Sequence, residues 1–313
     1  MVNGVLRLER YPAILASEVA HASIRKAAMI LGLGTSSVIP VATNANSQMI
    51  PEALEGEIKR ARGDGFEPFC VVATVGTTVT GNIDPLVEIS EIARNNGMWF
   101  HVDAAYGGAL IFSERYSRRL TGIEAADSIT FNPQKWLYIS NGCAMALFKN
   151  MALMEAALKV PSPYSGHSGP VTNLGEITVH GSRRVEVLKL WLSLQHIGRL
   201  GYRQLVDEGC ALADYFLRKV AERPFLQTVG KPDMNILCFR GTPDWIASSQ
   251  WDDWNFRLQD FLLREGDVFF SLSPYREARW LRTVLLNPYS DKQFVDRVFD
   301  ELDSFAGQTR LGS

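Results

Sequence analysis

The sequence predicts an α/β protein, with a mostly parallel sheet covered by helices, followed by a smaller α+β unit. Three observations carry that reading. Short β-branched apolar runs alternate with punctuated helical segments through the first half, the pattern of repeated βαβ units. After residue 182 the pattern changes to long helical stretches followed by short strands. The composition, 46% hydrophobic and 21% charged over 313 residues, is that of an ordinary globular chain long enough for one large or two ordinary domains. The expected division is 1–182 for the larger unit and 183–313 for the smaller.

The elements follow in order. VIPVA (38–42) reads as a short strand. Pro51 opens a helix that runs to about Arg62, where Gly63 to Gly65 stop it. FCVVATV (69–75) is a β-branched apolar run, the signature of a buried strand. Asp84-Pro85 reads as an N-cap and first helical residue, with the helix ending at Asn96 and Gly97. Leu86, Ile89 and Ala93 fall on one of its faces. MWFHV, DSITF (127–131) and CAMALF (143–148) are further strands. The segment 161–175, PSPYSGHSGPVTNLG, has no clean period and is a loop long enough to suspect a lid or binding role. Helices are expected over 183–197 and 202–222, punctuated by Gly198 and Gly201. A strand near 236–239, a helix around 251–264, strands near 268–272 and 280–285, and a last helix from Asp291 complete the chain.

Several function classes are excluded at this stage. Net charge is −2, from 32 basic and 34 acidic residues, and no basic stripe stands out, which argues against nucleic acid. No apolar run approaches the roughly 20 residues that span a bilayer, and the N-terminus carries Arg7, Glu9 and Arg10 instead of a signal-peptide core. The four cysteines, at 70, 143, 210 and 238, form no C-x-x-C pair. They read as buried free thiols in a reducing, cytoplasmic setting. The five histidines show no metal-ligand spacing, so no metal site is expected.

The chemistry gathers at strand ends. In open α/β sheets ligands bind beyond the carboxyl ends of the strands. Thr77 and Thr78, in VATVGTTVTG, Asp103, in FHVDAAYGGALIF, and Lys135, in FNPQKW, all fall just past predicted strands. A carboxylate ending a buried strand is costly without a cation. A lysine among Phe131, Trp136 and Leu137 is poorly solvated, which disfavours its ammonium form. His21, in EVAHASIRKAA, lies near the start of a helix. A carboxylate and a reactive lysine in this position have a specific use with pyridoxal 5'-phosphate: the lysine forms a Schiff base, and the aspartate pairs with the protonated pyridine nitrogen. His101 points away from the Val102 side of its strand and reads as structural.

HVDAAYGG, followed 32 residues after Asp103 by the lysine of NPQKW, resembles the group II pyridoxal-phosphate-dependent amino acid decarboxylases, which include the aromatic-amino-acid, glutamate and diaminobutyrate enzymes. AHASIRKAA, ATVGTTVTGNIDP, GIEAADSITFNPQKWL and GSRRVEVLKLW extend the likeness from about Ser17 to Tyr202. The resemblance implies fold type I, with a partial version of its seven-stranded sheet. It implies that Lys135 is the Schiff-base lysine and that Asp103 binds the pyridine nitrogen. His21 stacks on the ring and helps place the substrate carboxylate, Ala105 packs against the opposite face, Thr78 lies near the ring's polar edge, and Asn132 lies near the phosphate or its supporting backbone. Tyr164 matches the tyrosine of the family's mobile catalytic loop, which returns a proton to the substrate carbon. His167 reads as an ordinary loop residue, with a lid role as the lesser alternative, and Arg183 and Arg184 read equally as helix surface, dimer contact or phosphate ligand. NPQKW leans toward the aromatic branch, while HVDAAYGGALIF leans toward bacterial diaminobutyrate-type members.

Two departures shape the expected function. Gln134 stands where the family usually has a histidine before the lysine, and glutamine cannot titrate near neutral pH. Family members also carry roughly 150–170 more residues ahead of the His21 region, the size of an ordinary domain, including the loop that grips the cofactor phosphate. GLGT (32–35) follows a helix instead of preceding one and does not replace that loop. The favoured expectation is a decarboxylase converting an L-amino acid to an amine, as the C-terminal half of a split enzyme. A partner chain would supply the phosphate region, and that unit would form a homodimer. The alternatives are a truncated chain, an aldehyde-forming or carbon–carbon bond-forming enzyme, and a non-catalytic subunit.

Overall fold

A computed structural model describes residues 8–160 and 173–311; Tyr164 and His167 lie outside the described residues. Ten strands and seven helices occur among the described residues, in the order β1 (Tyr11–Ser17), α1 (Ser23–Ile30), β2 (Val38–Val41), α2 (Pro51–Gly63), β3 (Phe66–Thr74), α3 (Leu86–Asn95), β4 (Trp99–Asp103), β5 (Ser128–Phe131), β6 (Met145–Phe148), α4 (Met151–Leu158), α5 (Val187–Ala221), β7 (Leu226–Thr228), β8 (Ile236–Gly241), α6 (Trp251–Glu265), β9 (Ser271–Tyr275), β10 (Ala278–Val284) and α7 (Lys292–Leu311). The larger sheet has the order β2-β1-β3-β4-β5-β6. β1 to β5 run parallel, and β6 pairs antiparallel with β5. The smaller sheet, β7-β8-β10-β9, is wholly antiparallel.

Each sheet has its own core. Leu15, Val71, Phe100, Leu54 and Ile89 belong to the first, where α2 and α3 pack on the sheet. Phe239, Trp254, Leu281 and Phe299 belong to the second. The buried residues of α3 are Leu86, Ile89, Ile92 and Ala93, the expected apolar face.

One local expectation is corrected. Asp84 is not the N-cap of α3: Pro85 holds that position with no side-chain cap bond. The Asp84 carboxylate turns inward and accepts the backbone N–H groups of Met49 and Thr74, both at 2.7 Å, because buried strand-end N–H groups need partners more than a solvated helix end does. The two helices expected on either side of Gly198 are both present within α5, which kinks at Gly198, where φ 69° and ψ 173° are non-helical. His21 stands two residues ahead of α1, which starts at Ser23, so it lies near the helix start as expected. Two strands escaped the sequence reading. β1 lies inside the sheet between β2 and β3, and YPAILAS buries five residues in succession. Such a run shows no period to separate strand from buried helix. β7, with three residues, is too short to leave a pattern.

Candidate active site

The carboxyl ends of β3, β4 and β5 carry the site. Thr74 is in register with Asp103, and Asp103 with Thr130, so the three strands end together. The segment after β4 turns sharply. Gly107 N–H donates to the Val75 carbonyl (3.1 Å), and a Cβ at Gly107 would lie 2.6 Å from that oxygen. A Cβ at Gly108 would meet the Phe131 ring at 2.7 Å. The two glycines of AAYGG therefore let this turn lie flat against β3 and β5. The turn after β5 hangs from the same segment: Asn132 N–H donates to the Ala105 carbonyl (3.2 Å), and Lys135 N–H to the Asn132 carbonyl (2.9 Å). These bonds place Lys135 beside the strand end that bears Asp103.

A cavity of about 890 Å³ opens here, and His21, Thr78, Asp103, Ala105, Asn132 and Lys135 all line it. Six of the seven expected site residues thus come together, and the seventh, Tyr164, lies outside the described residues. Lys135 and Asp103 are half-buried, and His21 and Thr78 are exposed. Asp103 Oδ1 accepts the Ala105 N–H (3.1 Å). His21 Nδ1 accepts the Ser23 N–H (3.2 Å) and lies 2.9 Å from Ser23 Oγ. With Nδ1 used as an acceptor, the neutral ring carries its proton on Nε2. Gln134 also lines the cavity, and its Oε1 accepts the Gly142 N–H (2.8 Å).

His101 is half-buried on the cavity wall. Its Nδ1 lies 2.8 Å from Ser128 Oγ and its Nε2 3.1 Å from Thr130 Oγ1. Burial pushes its pKa down, against the opposing pull of Asp103, so a neutral, hydrogen-bonded ring fits the structural reading.

The sequence reading missed Arg282, on β10, which lines the cavity. Its Nε donates to the Thr78 carbonyl (2.5 Å). Burial lowers its pKa, while Tyr106 and Cys238 pull the other way. An arginine within a predicted strand was the available signal, but its strand lies some 150 residues beyond Lys135 in the chain, and the reach to Thr78 exists only after folding.

The cavity fits the pyridine end of pyridoxal phosphate. Two residues of its lining, Asn132 and Thr74, each carry a buried side-chain oxygen without a hydrogen-bond partner, hydrogen-bonding capacity that the fold leaves unused. Asp103 supplies a carboxylate and Lys135 an amine on the same wall. A strand-end carboxylate and lysine on a mostly parallel sheet are the pair that a pyridoxal-phosphate site calls for.

Comparison with known proteins narrows the class. The family model described as the pyridoxal-dependent decarboxylase conserved domain matches residues 6–242, and the chain belongs to this family. It is 30% identical over 301 residues to an acidic amino acid decarboxylase, GADL1, of Xenopus tropicalis, covering 92% of this chain and 59% of that protein. It is 32% identical over 327 residues to the cysteine sulfinic acid decarboxylase of Mus musculus, covering 96% and 66%. The crystal structure of mouse CSAD superposes with a TM-score of 0.87 at 32% identity, over 96% of this chain and 65% of that one. Tryptophan decarboxylase of Catharanthus roseus, solved with L-tryptophan, matches at TM-score 0.86 and 26% identity, over 95% and 62%. The chain therefore spans about three-fifths of the length of these relatives.

Proposed function

We propose that this chain carries the lysine, aspartate and histidine part of an amino acid decarboxylase site, with Lys135, Asp103 and His21 in those roles. The observation that carries this reading is the placement of Asp103 and Lys135 on adjacent strand-end turns, joined by the Asn132–Ala105 backbone bond (3.2 Å). When bound, the cofactor supplies an electron sink for the pair left on the substrate carbon as carbon dioxide departs. The residues of the chain do the rest. Lys135 would hold the cofactor through its amine. Asp103 holds a proton on the ring nitrogen by charge. Ala105 would pack against one ring face, and His21, with its Nε2–H, against the other. Thr78 and Asn132 border the ring and its phosphate arm, and Tyr164 returns a proton to the substrate carbon. Arg282 offers its guanidinium to a substrate carboxylate, as bidentate carboxylate recognition favours.

The reading includes a second polypeptide that supplies the phosphate-binding region, and a homodimer of that unit, in the cytoplasm. An unburied apolar face supports it. Every residue of α4 but Glu155 is apolar, and none is buried. Leu147 on β6, Leu153 and Leu158 on α4, and Trp191 on α5 are each about half exposed. We place the division between the two units of the chain at 182/183.

Two measurements test this. The chain, alone and co-expressed with its genomic neighbours, is titrated with pyridoxal phosphate. Visible absorbance that borohydride removes, and that Lys135→Ala lacks, supports the lysine assignment. Carbon dioxide release from a panel of L-amino acids then identifies the substrate. An assembled unit that never takes up the cofactor overturns the reading.

A further inference from the structure

The turn that bears Thr78 is gripped from the smaller sheet. Within residues 76–83 the backbone closes on itself: Gly76 N–H and Thr77 N–H both donate to the Asn82 carbonyl (3.0 and 2.9 Å), and Gly81 N–H donates to the Thr77 carbonyl (2.9 Å). Thr77 Oγ1 accepts the Asn82 N–H (3.0 Å) and lies 2.7 Å from Thr80 Oγ1. The turn is therefore a small body that moves as one piece. Its attachment to the rest of the fold decides where Thr78 stands.

Part of that attachment is a Val75–Ile83 bridge and the Gln48 Nε2–H that donates to the Ile83 carbonyl (2.7 Å); the rest runs through Asp233. Asp233 Oδ2 accepts the Ile83 N–H (2.9 Å) and an Asn82 Nδ2 hydrogen (3.4 Å). The Asp233 N–H donates to the Gly81 carbonyl (3.2 Å), and the Lys231 carbonyl accepts from Asn82 Nδ2 (2.9 Å). Asp233 is itself anchored, since its carbonyl accepts from Arg119 Nη1. The neighbouring side chains lie flush on the turn. A Cβ at Gly76 would come within 2.8 Å of Met234 Sδ, and one at Gly81 within 2.8 Å of Ile236 Cβ. On the cavity side Arg282 meets the Thr78 carbonyl (2.5 Å). Two residues of the second half thus hold the turn from two directions, one by a carboxylate and one by a guanidinium.

We propose that Asp233 is a positioning residue: it fixes the Gly76–Ile83 turn so that Thr78 stands at the cavity lining. The relevance of that position to cofactor retention rests on the decarboxylase reading above. A carboxylate suits the task because an ionised acceptor bonds a backbone N–H more strongly than a neutral one. An asparagine keeps one acceptor oxygen and the size, so Asp233→Asn retains much of the grip, and Asp233→Ala removes it.

Hydrogen exchange and a double-mutant cycle test the proposal. In Asp233→Ala, exchange at the Ile83 amide accelerates at least about tenfold, the effect of losing one charge-assisted bond, while Val71 and Val72 in β3 keep their protection. Asp233→Asn restores most of the protection at Ile83. In the cofactor-loaded unit, Asp233→Ala weakens pyridoxal-phosphate binding about tenfold, and in a Thr78→Ala background the same change has little effect. Unchanged exchange at Ile83 overturns the proposal, as does a binding loss that is the same with and without Thr78. If the unit takes up no cofactor, the decarboxylase reading fails, and exchange at Ile83 still decides the role of Asp233.

Discussion

The phenol ring of Tyr106 stacks on the indole of Trp136, with centroids 5.2 Å apart and planes 25° apart. One ring belongs to the turn after β4 and the other to the turn after β5, so the spacing between Asp103 and Lys135 is set by aromatic packing as well as by the strand ladder. Trp136 is 1% exposed, and its Nε1 has no hydrogen-bond partner. Trp136→Ala is expected to lower stability by about 3–5 kcal/mol, read by urea denaturation. Trp136→Phe keeps a stacking ring and removes the unpaired N–H, so its loss should be well below that of alanine. Equal losses would show that stacking contributes nothing here.

Tyr106 also reaches across to the second half, where its hydroxyl donates to Asn235 Oδ1 (2.9 Å). Asn235 is fully buried and gives its amide to the Leu285 carbonyl (2.9 Å). Tyr106→Phe leaves Oδ1 without a donor and should cost about 1–3 kcal/mol. Pairing it with Asn235→Leu should cost less than the sum of the two single changes, measured as a cycle of unfolding free energies.

Stability should depend on pH through Asp84. Burial pushes its pKa up to about 6, although the N–H groups of Met49 and Thr74 pull it down. Because the folded value lies above the unfolded one of about 3.9, the native state holds this proton more tightly. The stabilising contribution is present below about pH 4 and is lost as pH rises through 6, by an amount on the order of 2–3 kcal/mol. Asp84→Asn carries no such proton, so the difference in stability between the parent and this variant should change across that range. A constant difference from pH 4 to 7 would refute it.

All four cysteines are free and buried. Burial pushes the thiols of Cys70, Cys210 and Cys238 up to about 12, so almost no thiolate forms near neutral pH. Native protein should resist alkylation by iodoacetamide at pH 8, and denatured protein should take four labels, counted by mass spectrometry.

Legibility in the sequence followed chain distance. Asp103 and Lys135 were readable because each sits directly after an apolar run, and a strand end is a local property. Thr78 was readable in the same way, His21, Ala105 and Asn132 gained their roles from motif resemblance, and all four line the cavity. Arg282 and Asp233 were invisible because their partners, Thr78 and Ile83, lie about 200 and 150 residues earlier in the chain. Asp84 was misread for a related reason. An aspartate before a proline has the local look of a helix cap, but the bare N–H groups of Met49 and Thr74 compete for it, and only the folded sheet brings them near.

α5 serves both cores. Tyr202, Val206 and Cys210 pack in the first, and Ala213, Phe216 and Val220 in the second. These positions follow one another on a single helix beyond the break at Gly198. Unravelling either end of that rod strips side chains from the other sheet, so the two halves share one melting event, and a calorimetric scan should trace a single peak.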